Sequence, residues 1–186
     1  MKDKDLENID RVKNAEDRPS FDVYYLTIAF VVAQRSFDPS SKCGCVIVSK
    51  DGRILSTGYN GPIKKSIDED IPLTRPERYY HMIHGEENAL LAYGGSYQDI
   101  QGAIAYVTGR PCHRCLRGLL QKGITRIVYG GNVTKVVDAE DMEAQEIMLK
   151  DRDIIVKETE NDGAVFELLD KTREYIKIKN EQSKNY

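Results

Sequence analysis

The chain predicts an α/β fold, a central mixed sheet of about five strands with helices on its faces. Three observations carry that prediction. Two alternating segments around Asp51-Gly52 read as a β-hairpin. After the hairpin, helix-like and strand-like segments alternate to the end of the chain. The 186 residues, 40% of them apolar and 31% charged, suffice for one globular core with appendages.

Residues 1–18 are strongly charged and read as an N-terminal arm, ahead of a domain over 19–160 and a charged C-terminal helix or tail over 161–186. Ser20 or Asp22 can cap a first helix. In it Phe21, Tyr24, Tyr25, Ile28, Ala29, Val32 and Ala33 recur at roughly helical spacing and read as the core face. Asp38-Pro39-Ser40-Ser41 is a turn, Cys43 to Ser49 a strand, and Arg53 to Gly58 its hairpin partner. Cys43 and Cys45 then share a strand face with Ile47, and both read as core packing. Residues 61–83, with three prolines and the acidic run Asp68-Glu69-Asp70, read as a long functional loop. A second helix runs from Gly85 to Tyr93, where Gly94-Gly95 stops it. Ala103 to Thr108 is a buried strand, Cys112 to Lys122 a helix ended by Gly123, and Ile124 to Tyr129 the next strand. Asp138 to Leu149 is helical, Asp153 to Lys157 a short strand, and Phe166 to about Lys179 a last helix.

The net charge of −3 argues against broad nucleic-acid binding, which shows itself as a basic patch or stripe. No run of about 18 apolar residues predicts a membrane span. Met1-Lys2-Asp3-Lys4-Asp5 holds no apolar leader, so a cytoplasmic protein is expected. Its four cysteines then point to metal binding rather than to disulfides.

Two short stretches carry chemistry: His84-Gly85-Glu86 and Pro111-Cys112-His113-Arg114-Cys115. Each opens a predicted helix, where a sheet of this kind gathers its site. Cys112 and Cys115, three apart in a first helical turn, project to one side. With His84 they make three N/S ligands for Zn²⁺, which keeps a fourth position for water when it is catalytic. Glu86 is then placed to move protons as a general acid/base. A structural zinc site closed by Glu86 is the alternative, and His81 and His113 read as bystanders.

H-x-E followed by P-C-x-x-C is the signature of zinc-dependent nucleobase deaminases. Further stretches narrow the likeness: Gln34 to Pro39, Gly44 to Val48, Gly58-Tyr59-Asn60-Gly61-Pro62, Asp68 to Pro72, Tyr79 to Glu86 and Asn88-Ala89. From about Tyr24 to Val156 the chain resembles the deoxycytidylate (dCMP) deaminase branch of the cytidine deaminase superfamily. The resemblance implies a cytidine deaminase-like three-layer α/β/α fold, Zn²⁺, hydrolysis of dCMP to dUMP with release of ammonia, and a homo-oligomer, often a hexamer. It also implies that Glu86 is the proton shuttle and that Asn60 hydrogen-bonds the sugar hydroxyl. The residues alone leave open that Asn60 merely holds a left-handed turn. A 5′-phosphate needs cations or amides, and Arg35, Ser36 and Arg110 are the candidates, with Arg35 as a surface charge the alternative.

The resemblance also implies regulation, since many members of this branch are activated by dCTP and inhibited by dTTP, bound near the loop after Gly-Tyr-Asn-Gly. Here Lys64 and Lys65 replace a small glycine-containing turn and could meet the triphosphate, with Asp68 beside them for its Mg²⁺. The alternative is a solvated surface pair. Four positions depart from the family pattern: Gly85 for alanine, Glu87 for an apolar residue, Thr108-Gly109-Arg110 for a bulkier, less basic segment, and Thr134 for a tyrosine near the nucleotide. Rival functions are deamination of another nucleotide, nucleoside or free base (dCTP, 5-substituted dCMP, guanine), deamination of tRNA or another polynucleotide, and a zinc-stabilised binding module.

Overall fold

A computed structural model describes residues 18–72, 74–131, 138–159 and 162–183. The N-terminal arm, apart from Arg18, and Thr134 lie outside these described residues. The strands are β1 (Gly44–Val48), β2 (Ile54–Tyr59), β3 (Gly61–Pro62), β4 (Met82–Ile83), β5 (Ile104–Val107), β6 (Arg126–Tyr129) and β7 (Ile155–Glu158). The helices are α1 (Phe21–Ala33), α2 (Gly85–Ala92), α3 (Tyr97–Ile100), α4 (His113–Gln121), α5 (Ala139–Leu149) and α6 (Asp162–Ser183). Five strands form one mixed sheet in the order β2-β1-β5-β6-β7, as expected from the alternation of segments. β1 is antiparallel to both β2 and β5, whereas β5, β6 and β7 are mutually parallel.

Alternation along the strands sorts the core into two layers. Val46 and Val48 face α1 and α6, together with Tyr106, Val128 and Val165. Cys45 and Ile47 face the other way, toward Ala89 of α2 and Leu116 and Leu119 of α4, where Met148 and Leu149 of α5 also pack. Two glycines set how close the helices come. A Cβ on Gly44 would lie 2.1 Å from the Ala29 carbonyl oxygen in α1, and one on Gly58 would lie 2.2 Å from the Ala89 nitrogen in α2. Any side chain at either position would push a helix off the sheet.

The face of α1 differs from the expectation. Ser20 caps it, its hydroxyl accepting from the Val23 amide at 3.3 Å. The buried residues, however, are Val23, Tyr25, Leu26, Thr27, Ala29, Phe30 and Ala33, while Phe21 and Tyr24 are exposed. The segment is apolar almost all round, so its periodicity held too little contrast to fix the face. Residues 61–83 are also more ordered than a loop. β3 and β4 pair through Gly61↔Ile83 and Pro62↔Met82, and short 3₁₀ turns occupy Asp68–Asp70 and Glu77–His81. Arg78, wholly buried in the second turn, forms an ion pair with buried Asp38 at 3.3 Å and donates to the Ser40 hydroxyl at 3.2 Å. A two-residue ladder and an ion pair across forty positions leave no local periodicity to read. The helix α3 was likewise not expected, and α6 extends past both bounds of the helix read from Phe166 to Lys179.

These connections bring several chain ends to one edge of the sheet. β2 and β5 both run toward that edge and β1 starts from it, because β1 is antiparallel to each. α4 begins just beyond β5 there, the usual place for a site in a sheet with parallel strands. No helix among the described residues is long and apolar enough to cross a membrane.

Candidate active site

Both chemical stretches use their helices in the same way. His84 is the N-cap residue of α2 and Cys112 the N-cap residue of α4, and neither side chain bonds its own helix's amides. Cys112 therefore sits one position before the first helical turn in which it was expected, and Cys115 lies inside that turn. The freed side chains converge on each other. His84 Nδ1 lies 3.6 Å from Cys112 Sγ and 3.3 Å from Cys115 Sγ.

These distances can be tested against a metal. Two ligand atoms at about 2.3 Å (sulfur) and about 2.1 Å (nitrogen) from a tetrahedral Zn²⁺ stand about 3.6 Å apart. The observed separations fit, and the ligand atoms of His84, Cys112 and Cys115 all lie within 4.8 Å of one another. His84 is exposed at the rim, Cys112 half-buried and Cys115 buried.

The electrostatics suit a cation. The hydrogen bond from the Cys115 thiol, with His84 beside it, brings the Cys112 pKa down to about 4, and the Cys115 pKa rises in turn. The Cys112 sulfur also raises the His84 pKa. Glu86, in the first turn of α2, is 5% exposed. Burial pushes its pKa up, while its own backbone amide and His84 pull it back. Glu87, the next residue, is exposed, and its charge adds to the rise in the His84 pKa. A Cβ on Gly85 would lie 3.2 Å from the Cys43 carbonyl oxygen, so the family's alanine would fit only with a small shift.

Of the other predicted residues, Asn60 and Ser36 come together. The Ser36 hydroxyl donates to the Asn60 carbonyl at 2.8 Å. Asn60 is buried, its Oδ1 accepting from the Cys43 amide at 2.7 Å and its Nδ2 donating to the Ser41 carbonyl at 2.9 Å. Positive φ among the described non-glycine residues occurs at Lys65 and Asp151, so Asn60 does not hold a left-handed turn. Arg35 is exposed, its guanidinium 6.0 Å from the centre of the Tyr59 ring. Arg110 lies against α5 and β6, donating to Gln145 Oε1 at 3.2 Å and to the Tyr129 hydroxyl at 3.3 Å. Lys64 and Lys65 are exposed in the turn after β3, and Lys65 has φ 70°, the conformation glycine favours. Asp68 opens the first 3₁₀ turn.

Sequence reasoning missed several residues of this neighbourhood. Cys43 is not core packing: β1 starts one residue later, Cys43 is only half-buried, and both its N–H and its C=O are bonded to Asn60. Burial pushes its pKa to about 12, with the Glu86 charge adding to the effect. Its position at the start of the predicted strand, two residues from Cys45, gave the wrong signal. His113 takes no part in the donor set, and its amide donates to Asp141 Oδ1 at 2.8 Å. Asp141 and Gln145 gave no sequence signal, being ordinary polar residues inside a predicted helix.

Residues 19–131 match the family described as the cytidine and deoxycytidylate deaminase zinc-binding region. The deoxycytidylate deaminase of Mus musculus is 31% identical over 144 residues, covering 74% of this chain and 79% of that protein. That of Homo sapiens is 31% identical over 123 residues, covering 63% of this chain and 68% of that protein. Among solved structures, the dCMP deaminase of the cyanophage S-TIM5 in complex with dCMP and dUMP superposes with a TM-score of 0.58. At 22% identity, over 76% of this chain and 98% of that one, this likeness is one of fold.

Proposed function

We infer that this chain, which belongs to the cytidine and deoxycytidylate deaminase family, hydrolyses dCMP to dUMP with release of ammonia. Such a reaction supplies dUMP for thymidylate synthesis. The observation that carries the reading is the donor set His84, Cys112 and Cys115 with the buried Glu86 carboxyl on the same helix start. Zn²⁺ held there supplies Lewis-acid activation of a water molecule.

The remaining chemistry falls to the chain's own residues. Glu86 takes a proton from the water and hands it to N3 of the pyrimidine as oxygen adds to C4. It then carries the hydroxyl proton to the departing amine, so that C4 keeps a carbonyl and ammonia leaves. Asn60 has one Nδ2 hydrogen and one Oδ1 lone pair beyond its bonds to Ser41 and Cys43, enough for a sugar hydroxyl. Ser36 seats Asn60 through its carbonyl, and Arg35 and Arg110 are the cations for the 5′-phosphate. Lys64, Lys65 and Asp68 are assigned to a regulatory dCTP or dTTP with its Mg²⁺. A cytoplasmic homo-oligomer belongs to the same reading.

Ammonia release from dCMP, dCTP, deoxycytidine, cytosine, guanine and a tRNA tests the proposal. The expected result is a clear preference for dCMP. Glu86→Gln, nearly isosteric but unable to shuttle protons, should keep its zinc and lose about 10²-fold or more in turnover. A better substrate elsewhere in the panel, or wild-type turnover in the variant, would overturn the assignment.

A further inference from the structure

Residues on both sides of Cys112 are held by one helix that lies beyond the matched zinc-binding region, which ends at residue 131. A helix begins with amide groups that lack partners inside it, and the N-cap side chain ordinarily accepts from them. Cys112 occupies that position in α4, yet its sulfur faces His84. Asp141 of α5 takes over the duty. One of its oxygens accepts from the His113 amide at 2.8 Å, and the other lies 3.0 Å from His113 Nδ1. A single carboxylate thus grips both the backbone and the ring of the residue after Cys112.

Gln145, one turn further along α5 and fully buried, grips the residues before it. Its Nε2 donates to the Pro111 carbonyl at 3.0 Å and to Asp141 Oδ1 at 2.7 Å, while its Oε1 accepts from Arg110 Nε at 3.2 Å. Asp141 is itself fixed, its amide donating to the capping carboxylate of Asp138 at 2.8 Å. Burial works against the Asp141 charge, but the bonds from Gln145 and His113 hold its pKa below the ordinary value.

We propose that α5 is the outer brace of the metal centre: Asp141 and Gln145 fix the turn over residues 110–113 and so set how tightly the ion is held. This rests on the reading of His84, Cys112 and Cys115 as a Zn²⁺ site. With its flanks pinned, Cys112 Sγ is held facing His84. Outer partners of metal ligands typically alter affinity by about 10- to 100-fold. Asp141 and Gln145 are positioning residues of this kind.

The test is zinc affinity by competition with a chromophoric chelator, alongside melting of the zinc-loaded and metal-free forms. Asp141→Ala and Gln145→Met are expected to weaken zinc binding by about 10- to 100-fold each. Asp141→Asn should recover most of the loss, because its Oδ1 can still accept from the His113 amide. The Asp141 side chain is 12% exposed and Met conserves the volume of Gln145, so both variants should fold. The gain in melting temperature on adding zinc should shrink in the two weakened variants, as linkage requires. Zinc affinities within about twofold of wild type would overturn the brace, as would equal falls in melting temperature with and without zinc. A wild-type protein that binds no zinc would instead refute the metal site itself.

Discussion

Arg78→Met isolates the buried ion pair behind the loop that holds Asn60. The side chains of Arg78 and Asp38 are 1% and 6% exposed and 3.3 Å apart. Removing one partner of a buried pair typically costs about 3–5 kcal/mol, because the other charge is left in a poorly solvating interior. The structure points to the lower end. Asp38 keeps the Ser40 and Ser41 amides, which donate to it at 2.7 and 2.9 Å, and charged hydrogen bonds of that kind offset part of the desolvation. About 3 kcal/mol corresponds to roughly 6–12 °C for a protein of this size. Circular dichroism melting of zinc-loaded protein at neutral pH reads it directly. The same loop carries the Ser41 carbonyl that receives Asn60 Nδ2, so the KM for dCMP should rise more than kcat falls. A double variant with Asp38→Asn should be less damaged than the two single effects added together. Strict additivity, or a single-variant shift under about 2 °C, would refute the claim that the pair is energetically coupled.

Three further outcomes are expected. Cys115→Ser should lose zinc and lower the melting temperature, since metal affinity is linked to folding, and elemental analysis of the purified variant decides it. Asp22 is held at a pKa of about 2, chiefly by hydrogen bonds from Arg126, so its contribution is complete above about pH 4 and is lost as pH falls toward 2. With solvent screening it is of order 1 kcal/mol, and the gap in urea midpoint between wild type and Asp22→Asn should close across that window. Changing Lys64 and Lys65 together to alanine should abolish any shift of the dCMP saturation curve by dCTP or dTTP with Mg²⁺, while identical wild-type curves with and without triphosphate would remove the regulatory role.

The parts legible in the sequence were those whose cause is local. Cys112 and Cys115 are read from three-residue spacing, the hairpin from Asp51-Gly52, and the sheet with helices on its faces from the alternation of segments. The illegible parts depend on distant partners or on weak contrast. The α1 face was misread because almost every position in it is apolar. Cys43 was misread because Asn60, seventeen residues on, captures its backbone, and the strand starts one residue later. Arg78 and Gln145 carry no sequence pattern at all, and each is explained only by what it reaches across the fold.

The distribution of the donor set shows why the segment 38–44 matters as much as the two motifs. His84 and Glu86 belong to α2, which rests on β2 through the absent side chain of Gly58. Cys112 and Cys115 belong to α4, which follows β5. β2 and β5 do not touch; β1 lies between them and pairs with both. The start of β1 therefore fixes one half of the site relative to the other. The bonds there are doubled on each side. Cys43 exchanges two hydrogen bonds with Asn60, and Gly44 exchanges two with Thr108, whose hydroxyl accepts from the Gly44 amide at 3.1 Å. Thr108 stands where a hydroxyl can complete that link. A strand that slipped by one residue would exchange its two faces and separate the imidazole from the thiolates. The Arg78–Asp38 pair, the Asn60 amide and the Thr108 hydroxyl all act against that slip, so side chains outside both motifs keep the two halves of the metal site in register.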